Sequence, residues 1–244
     1  MTATAHRPFP MPITPWLNGQ AWNDLLFANW PIPVEIMRQA VPAVLPLDLY
    51  DGYAWISLVP FFLTDFRARF LPAIPGFASF LETNLRTYVT VGGKPGVYFF
   101  SLDAARLWAV IGARIGFSLP YYHARMTLRQ EGDWLYYTTH RIRGDAEFVG
   151  RYRSTGPAAT ATPGSLDYFL AERYCLYAVT PGGMIRRAEI HHGPWRLEPA
   201  ELHIERNSLG QAAGFQLSDP PALLNFSKRQ EVAIWLPVTV PASS

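Results

Sequence analysis

The sequence predicts one β-dominated α+β domain spanning residues 1–244, and three observations carry that prediction. The 22 prolines and 14% aromatic residues, with charge at only 16%, suit short strands joined by structured loops better than a helical bundle. Runs mixing aromatic and β-branched residues recur along the chain, bounded by Gly, Pro and Asn. Clear helical spacing occurs in a single stretch, 104–115. At 244 residues and 49% hydrophobic content, the chain has ample material for a core.

Taken in order, residues 1–15 form a Pro-rich arm that wraps the surface, and Trp16, Trp22, Phe27 and Trp30 supply large core anchors. Pro33 opens a short helix through Arg38, stopped by Pro42 and Pro46. Tyr53 to Leu63 reads as a buried strand, followed by a polar, Pro-rich loop through Pro75. Alternation over Leu85 to Val91 places Arg86 and Tyr88 on one face with Asn84. The turn Gly92-Gly-Lys-Pro-Gly96 then leads into a partner strand, Val97 to Leu102. Asp103 is suited to cap the next helix, whose apolar face is Ala104, Leu107, Trp108, Ile111 and Ile115, with Gly116 as its stop. Strands follow at Tyr121 to Arg129, Trp134 to Arg143 and Phe148 to Arg153, then a loop at 154–164. Ser165 caps a helix through Arg173, and further strands lie near 174–180, 184–192, 195–205 and 231–236.

The totals also exclude classes of function. A formal charge of +2 gives too weak a field to grip nucleic acid or an anionic membrane, and no apolar run reaches membrane-spanning length. The N-terminal residues lack the layout of a signal peptide, and one cysteine, Cys175, cannot form an internal disulfide, so a cytoplasmic protein is expected. Basicity rests on 19 Arg and two Lys, Lys94 and Lys228, which confines amine chemistry to two positions.

Five runs carry a family resemblance: Phe80-Leu-Glu-Thr-Asn-Leu-Arg-Thr-Tyr-Val89, Gly96-Val-Tyr-Phe-Phe-Ser-Leu-Asp103, Leu119-Pro-Tyr-Tyr-His123, Phe169-Leu-Ala-Glu-Arg-Tyr174 and His192-Gly-Pro-Trp195. Over roughly residues 16–236 the chain resembles the uncharacterised YqjF-like family of bacterial proteins, a branch of the acetoacetate decarboxylase-like superfamily. The resemblance implies a meandering antiparallel sheet curled into a cone-like barrel around a cavity, flanked by a few short helices. It also implies two lysines after Pro120, one attacking a substrate ketone as an amine; Tyr121 and Tyr122 stand there instead. A phenol cannot form a Schiff base, so an active acetoacetate decarboxylase is not expected. Lys94 is a poor substitute in a solvated hairpin turn. The acidic position is retained as Glu82, whereas an acid expected just after Arg114 is replaced by Ile115.

If the cone forms, Glu82, Arg86 and Tyr88 meet Tyr121, His123 and Arg125 across it. One reading makes this a pocket for a small organic acid or carbonyl compound, with Glu82, Tyr121 and His123 as acid–base groups. Arg86, Tyr88, Tyr122, Arg125 and Arg114 are then the ligand-binding set. The other reading is a Glu-Arg-Tyr network that only fixes strand register, in a non-enzymatic scaffold whose cavity is filled by the tyrosines. Glu189, His191, Glu201, His203 and Glu205 alternate on two strands taken as neighbours, but without the spacing of a known metal motif, so neither a metal nor another cofactor is expected. Arg141, Arg143, Arg151 and Arg153 read as a solvated sheet face rather than a phosphate patch. The partners left open are a small organic acid and a second copy in a homo-oligomer.

Overall fold

The computed structural model describes residues 4–70, 72, 78–217 and 220–241. In chain order its elements are β1 (Asn18–Ile32), α1 (Val34–Ala40), β2 (Ala54–Ala68), β3 (Phe80–Val91), β4 (Lys94–Ala104), α2 (Leu107–Phe117), β5 (Tyr121–Glu131), β6 (Trp134–Arg141) and β7 (Glu147–Ser154). They continue with β8 (Ala159–Thr160), α3 (Leu166–Ala171), β9 (Cys175–Val179), β10 (Ile185–His192), β11 (Arg196–Asn207), α4 (Leu209–Ala212), β12 (Leu223–Ile234) and β13 (Val238–Val240).

The scaffold is the antiparallel run β12–β1–β2–β3–β4, and each of its edge strands divides between two neighbours. The C-terminal part of β4 pairs in parallel with β5 at Leu102↔Tyr121, while its N-terminal part pairs in parallel with β9 at Val97↔Leu176. On the far edge, β12 pairs with β11 near Phe226 and with β10 near Val232. Two closures result. One runs through β5, β6, β7 and β11 and makes a nine-stranded barrel. The other runs through β9 and β10.

Strand alternation sorts the core between them, since successive side chains leave opposite faces of a sheet. Leu85, Val89 and Val91 of β3 join Ile56, Leu58, Tyr137, Phe148 and Tyr152 in one cluster. Phe80 and Tyr88, also on β3, pack instead with the clusters that contain Phe61, Val97, Leu176 and Trp195. Burying each such large side chain stabilises the fold by roughly 1.5–3 kcal/mol.

The hairpin β3–β4 turns on Gly92 and Gly93, both at positive φ (58° and 73°), the conformation a tight two-residue turn requires. Lys94 is therefore the first residue of a strand, not part of a solvated turn. Its Nζ lies 2.6 and 2.7 Å from the Glu189 carboxylate oxygens.

Asp103 does not cap α2. It ends β4 in a bidentate bond from Arg141 (Nε–Oδ1 2.6 Å, Nη2–Oδ2 3.0 Å), and α2 begins after Arg106 without a side-chain cap. The expected buried face of α2 is only partly right: Trp108 turns inward to the cavity, but Leu107, Ile111 and Ile115 are 52%, 49% and 78% exposed, while Val110 is buried. The helix is apolar on nearly every side, so its spacing carries no phase. It stops at Ser118 in the left-handed region (φ 57°), two residues beyond the expected glycine.

Strand β1 is interrupted at Asp24 (φ 49°), where a bulge against β2 shifts the register between Asn23 and Ala28. This break hides the alternation of a strand 15 residues long. Strand β12 begins at Leu223, eight residues before the expected start at 231. Residues 154–164 include the short β8, which pairs with Arg196 and Leu197. Strands β10 and β11 do not pair with each other: they meet the same edge of β12 at different heights, near Val232 and near Phe226, and Glu201 and His203 lie where β11 pairs with β7, so Glu189 and His191 are not beside them on neighbouring strands. The N-terminal arm lies along the surface, mostly exposed or half-buried, and is pinned at Arg7, which is buried, donating to the Ile190 carbonyl at 2.6 Å and pairing with Glu189 at 3.4 Å. Strand β2 runs on through Ala68, so the first part of the loop expected through Pro75 is strand, and residues 71 and 73–75 of that loop lie outside the described residues. Helix α3, by contrast, starts as expected, with Ser165 accepting from the Tyr168 amide at 3.2 Å.

Candidate functional site

A cavity of about 340 Å³ lies on the face of β1–β4 opposite the Leu85 cluster, within the range typical of small-molecule pockets. Helix α2 forms one wall through Trp108, Ala109, Gly112 and Ala113, and Arg173, Leu176, Ile190 and His192 form another. Its lining is mostly apolar, including Leu25, Phe61, Phe80, Val97, Phe99 and Leu102.

Polar groups enter mainly from β3, where Glu82, Asn84 and Arg86 occupy alternate positions and line the cavity together. Glu82 accepts a hydrogen bond at Oε2 from the Tyr121 hydroxyl at 3.0 Å. Burial pushes its carboxyl up to about 8, helped by the nearby Asp103 charge and only partly offset by the Tyr121 bond. At neutral pH the group is mostly a carboxylic acid, able to donate a hydrogen bond or a proton. Burial and the adjacent Glu82 hold the Tyr121 phenol well above its ordinary range, so it stays a donor.

Arg86 is only 7% exposed. Its Nη2 donates to the Leu170 carbonyl at 3.1 Å, and its guanidinium lies 5.2 Å from the Phe27 ring centroid. Among the described residues no carboxylate pairs with it, and its Nε has no hydrogen-bond partner. Arg173, by comparison, is paired with Asp48 at 2.5 Å. The Asn84 Oδ1 and Asn18 Oδ1, both on cavity-lining residues, are likewise buried without partners.

The structure thus brings Glu82, Arg86 and Tyr121 to one cavity, but not as a closed network, because Glu82 bonds Tyr121 while Arg86 does not reach Glu82. The other expected residues lie elsewhere. Tyr88 packs beside Phe169 with its hydroxyl 2.5 Å from Ser57 Oγ. Tyr122 points the opposite way from Tyr121, and the Arg141 guanidinium stacks 3.9 Å from its ring centroid. His123 is the last β5 residue paired with β4, and the exposed Arg125 lies past it, where β5 pairs with β6 alone. Arg114 donates from Nε to the Tyr121 carbonyl at 2.7 Å, on the outer side of α2. Alternation groups Asn84 with Arg86 but assigns it no role. Trp108, Trp195, Arg173 and His192 also line the cavity and are not legible as site residues in the sequence: the spacing of Trp108 reads as helix core, and Trp195 and His192 flank a turn without periodic signal.

Arg151 and Arg153 stack on Trp134, and Arg153 pairs with Glu201 at 2.7 Å at the surface, while Arg141 is buried. The four arginines therefore form no single patch. Among the described residues no group of three or more His, Cys, Asp or Glu is placed to hold a metal ion, and no helix is long and apolar enough to cross a membrane.

The β-barrel fold is that of acetoacetate decarboxylase-like proteins, solved structures of which match this chain. Acetoacetate decarboxylase from Legionella pneumophila superposes with a TM-score of 0.65 at 13% identity, covering 97% of this chain and 93% of that one. An acetoacetate decarboxylase-like enzyme from Sphingomonas wittichii gives 0.64 at 14% identity, covering 98% and 99%. The enduracididine biosynthesis enzyme MppR, complexed with pyruvate, gives 0.65 at 11% identity, covering 96% and 93%. At these identities the likeness shows the fold alone. The chain belongs to the DUF2071 family, described as an uncharacterized conserved protein, whose model matches residues 19–231. It is 49% identical over 221 residues to the uncharacterized protein YqjF of Bacillus subtilis strain 168, covering 90% of this chain and 91% of that protein.

Proposed function

We propose that the cavity binds a small organic acid or carbonyl compound without forming a Schiff base. The observation that carries this reading is Arg86, a buried guanidinium with no carboxylate partner among the described residues, on the wall of a mostly apolar cavity. An unpaired buried charge is costly, and a ligand carboxylate would offset that cost. Glu82 and Tyr121 supply a second polar point, where a protonated carboxyl could donate to a carbonyl oxygen or pass it a proton. A relative of the same fold, MppR, is described in complex with pyruvate, which agrees with a carboxylate ligand.

Neither lysine lines the cavity: Lys94 is held by Glu189, and Lys228 pairs with Asp24 at 2.5 Å. Non-covalent binding with acid–base assistance fits these residues better than amine catalysis. A scaffold with a filled cavity is less well supported, because open volume remains beside Tyr121. A cytoplasmic setting belongs to the same proposal; the lone Cys175 is buried and unpaired, as a reducing compartment permits.

The test is calorimetric titration of butanoate and 3-oxobutanoate against butanamide. The acids should bind at least about 10-fold more tightly than the amide, and Arg86→Met should erase that preference while circular dichroism shows the fold intact. Equal binding of acid and amide would overturn the proposal.

A further inference from the structure

The geometry points to a ligand longer than a β-keto acid: a monocarboxylic acid with its carbonyl or hydroxyl oxygen several methylenes from the carboxylate. This inference rests on the acid-binding reading above and specifies its ligand.

Glu82 and Arg86 lie four residues apart on β3. At roughly 3.4 Å per residue their Cα atoms are about 14 Å apart along the strand. Their heads are drawn toward opposite ends of the cavity rather than together. Glu82 faces Ala104 in the register with β4, at the end where β5 joins, and its carboxyl is engaged by Tyr121 of β5. Arg86 faces Phe99, near the end where β9 joins, and its guanidinium is engaged by Leu170 of α3 and Phe27 of β1. The carboxyl chemistry agrees with this separation. Burial pushes Glu82 upward while Tyr121 donates to it, and Arg86 is bonded instead to the Leu170 carbonyl.

The wall between the two polar points is apolar on the neighbouring strands, with Leu102 and Phe99 on β4 and Phe61 and Val59 on β2, and Asn84 is the cavity-lining residue between them on β3. In 3-oxobutanoate a single methylene separates the two carbonyl carbons, so one molecule cannot engage Arg86 and Glu82–Tyr121 together. A chain long enough to touch both would also bury its methylenes against the apolar wall, which adds to its affinity.

Titration of a straight-chain series at pH 6, where Glu82 is protonated, tests this in the unmodified protein. The probes are 3-oxobutanoate, 5-oxohexanoate and 7-oxooctanoate, with octanoate and 2-octanone as single-ended controls. Affinity should rise at least about 30-fold from the first acid to the best of the longer ones, and each control should lose at least about 5-fold against 7-oxooctanoate. In Glu82→Leu the difference between 7-oxooctanoate and octanoate should vanish; in Arg86→Met the difference between 7-oxooctanoate and 2-octanone should vanish. If 3-oxobutanoate binds as tightly as the longer acids, the length inference is overturned while acid binding stands. If octanoate equals 7-oxooctanoate, the two-point inference fails in the same way. If 2-octanone equals the acids and Arg86→Met changes nothing, the acid-binding reading itself fails.

Discussion

The Tyr121 hydroxyl donates to Glu82 Oε2 at 3.0 Å, joining the first residue of β5 to β3 across the parallel junction with β4. This bond favours the ionised carboxyl, yet burial outweighs it and the group rises to about 8.

The first prediction follows from that rise. Glu82 titrates at 4.5 when unfolded and about 8 when folded. Between these values the folded protein holds a proton that the unfolded chain has lost. Its stabilising contribution is fully present below pH 4.5 and is lost as pH rises through about 8. Glu82→Gln keeps the shape and removes the titration. Urea midpoints should therefore show the variant gaining on the parent from pH 5 to pH 8, by a few kcal/mol in all. A constant difference across that range would show that Glu82 does not carry the proton.

A second prediction concerns Asp103 and Arg141. Their bidentate pair links the end of β4 to β6, and both side chains are almost fully buried. Asp103→Asn leaves a buried guanidinium short of its charge partner, which should cost about 3–5 kcal/mol in chemical denaturation. Arg141→Lys should also destabilise, because one ammonium cannot reproduce the fork or the stacking on Tyr122.

These residues show how far the sequence could be read. Alternation suffices for β3: with no bulge of its own, it keeps Asn84 and Arg86 on one face, and Glu82 falls in phase. The same rule fails for β1, where the left-handed Asp24 inserts a residue and swaps the faces. It fails also for β5, whose contact with β4 lasts only three residues, so His123 and Arg125 leave the cavity although their parity matches Tyr121. Helix α2 has apolar residues on nearly every side, and only the tertiary structure shows that Trp108 and Gly112, rather than Ile111 and Ile115, face inward. Asp103 resembled a cap because it precedes a helical pattern, whereas a partner 38 residues away claims it.

Gly96 supplies a third prediction. Strands β4 and β9 approach so closely there that an added Cβ would meet the Cys175 carbonyl and Sγ and the Tyr177 ring, each at 2.7 Å. The parallel β4–β9 pairing closes the second ring, on the cavity side. Gly96→Ala should push β9 away and cost about 1–3 kcal/mol, or more if the strand detaches. Hydrogen exchange at the β9 amides should accelerate more than at β6. Unchanged exchange at β9 would show that this closure tolerates the methyl group.

The last prediction concerns covalent chemistry. Schiff-base formation needs a neutral amine within reach of a bound ketone, and this chain has two lysines. Lys94 is held by both Glu189 oxygens, at 2.6 and 2.7 Å, and Glu189 also meets Arg7 and Arg187. Lys228 lies on exposed β12 surface beside Asp24. The residues after Pro120 are phenols, and the Tyr121 phenol is bonded to Glu82 and held well above its ordinary range. Borohydride added with 3-oxobutanoate should therefore leave the intact mass unchanged, at pH 6 and at pH 8 alike. An adduct on Lys94 would mean that Glu189 releases its ammonium and that the strand moves toward the cavity. An adduct on Lys228 that persists in Arg86→Met would mark surface reaction independent of the site.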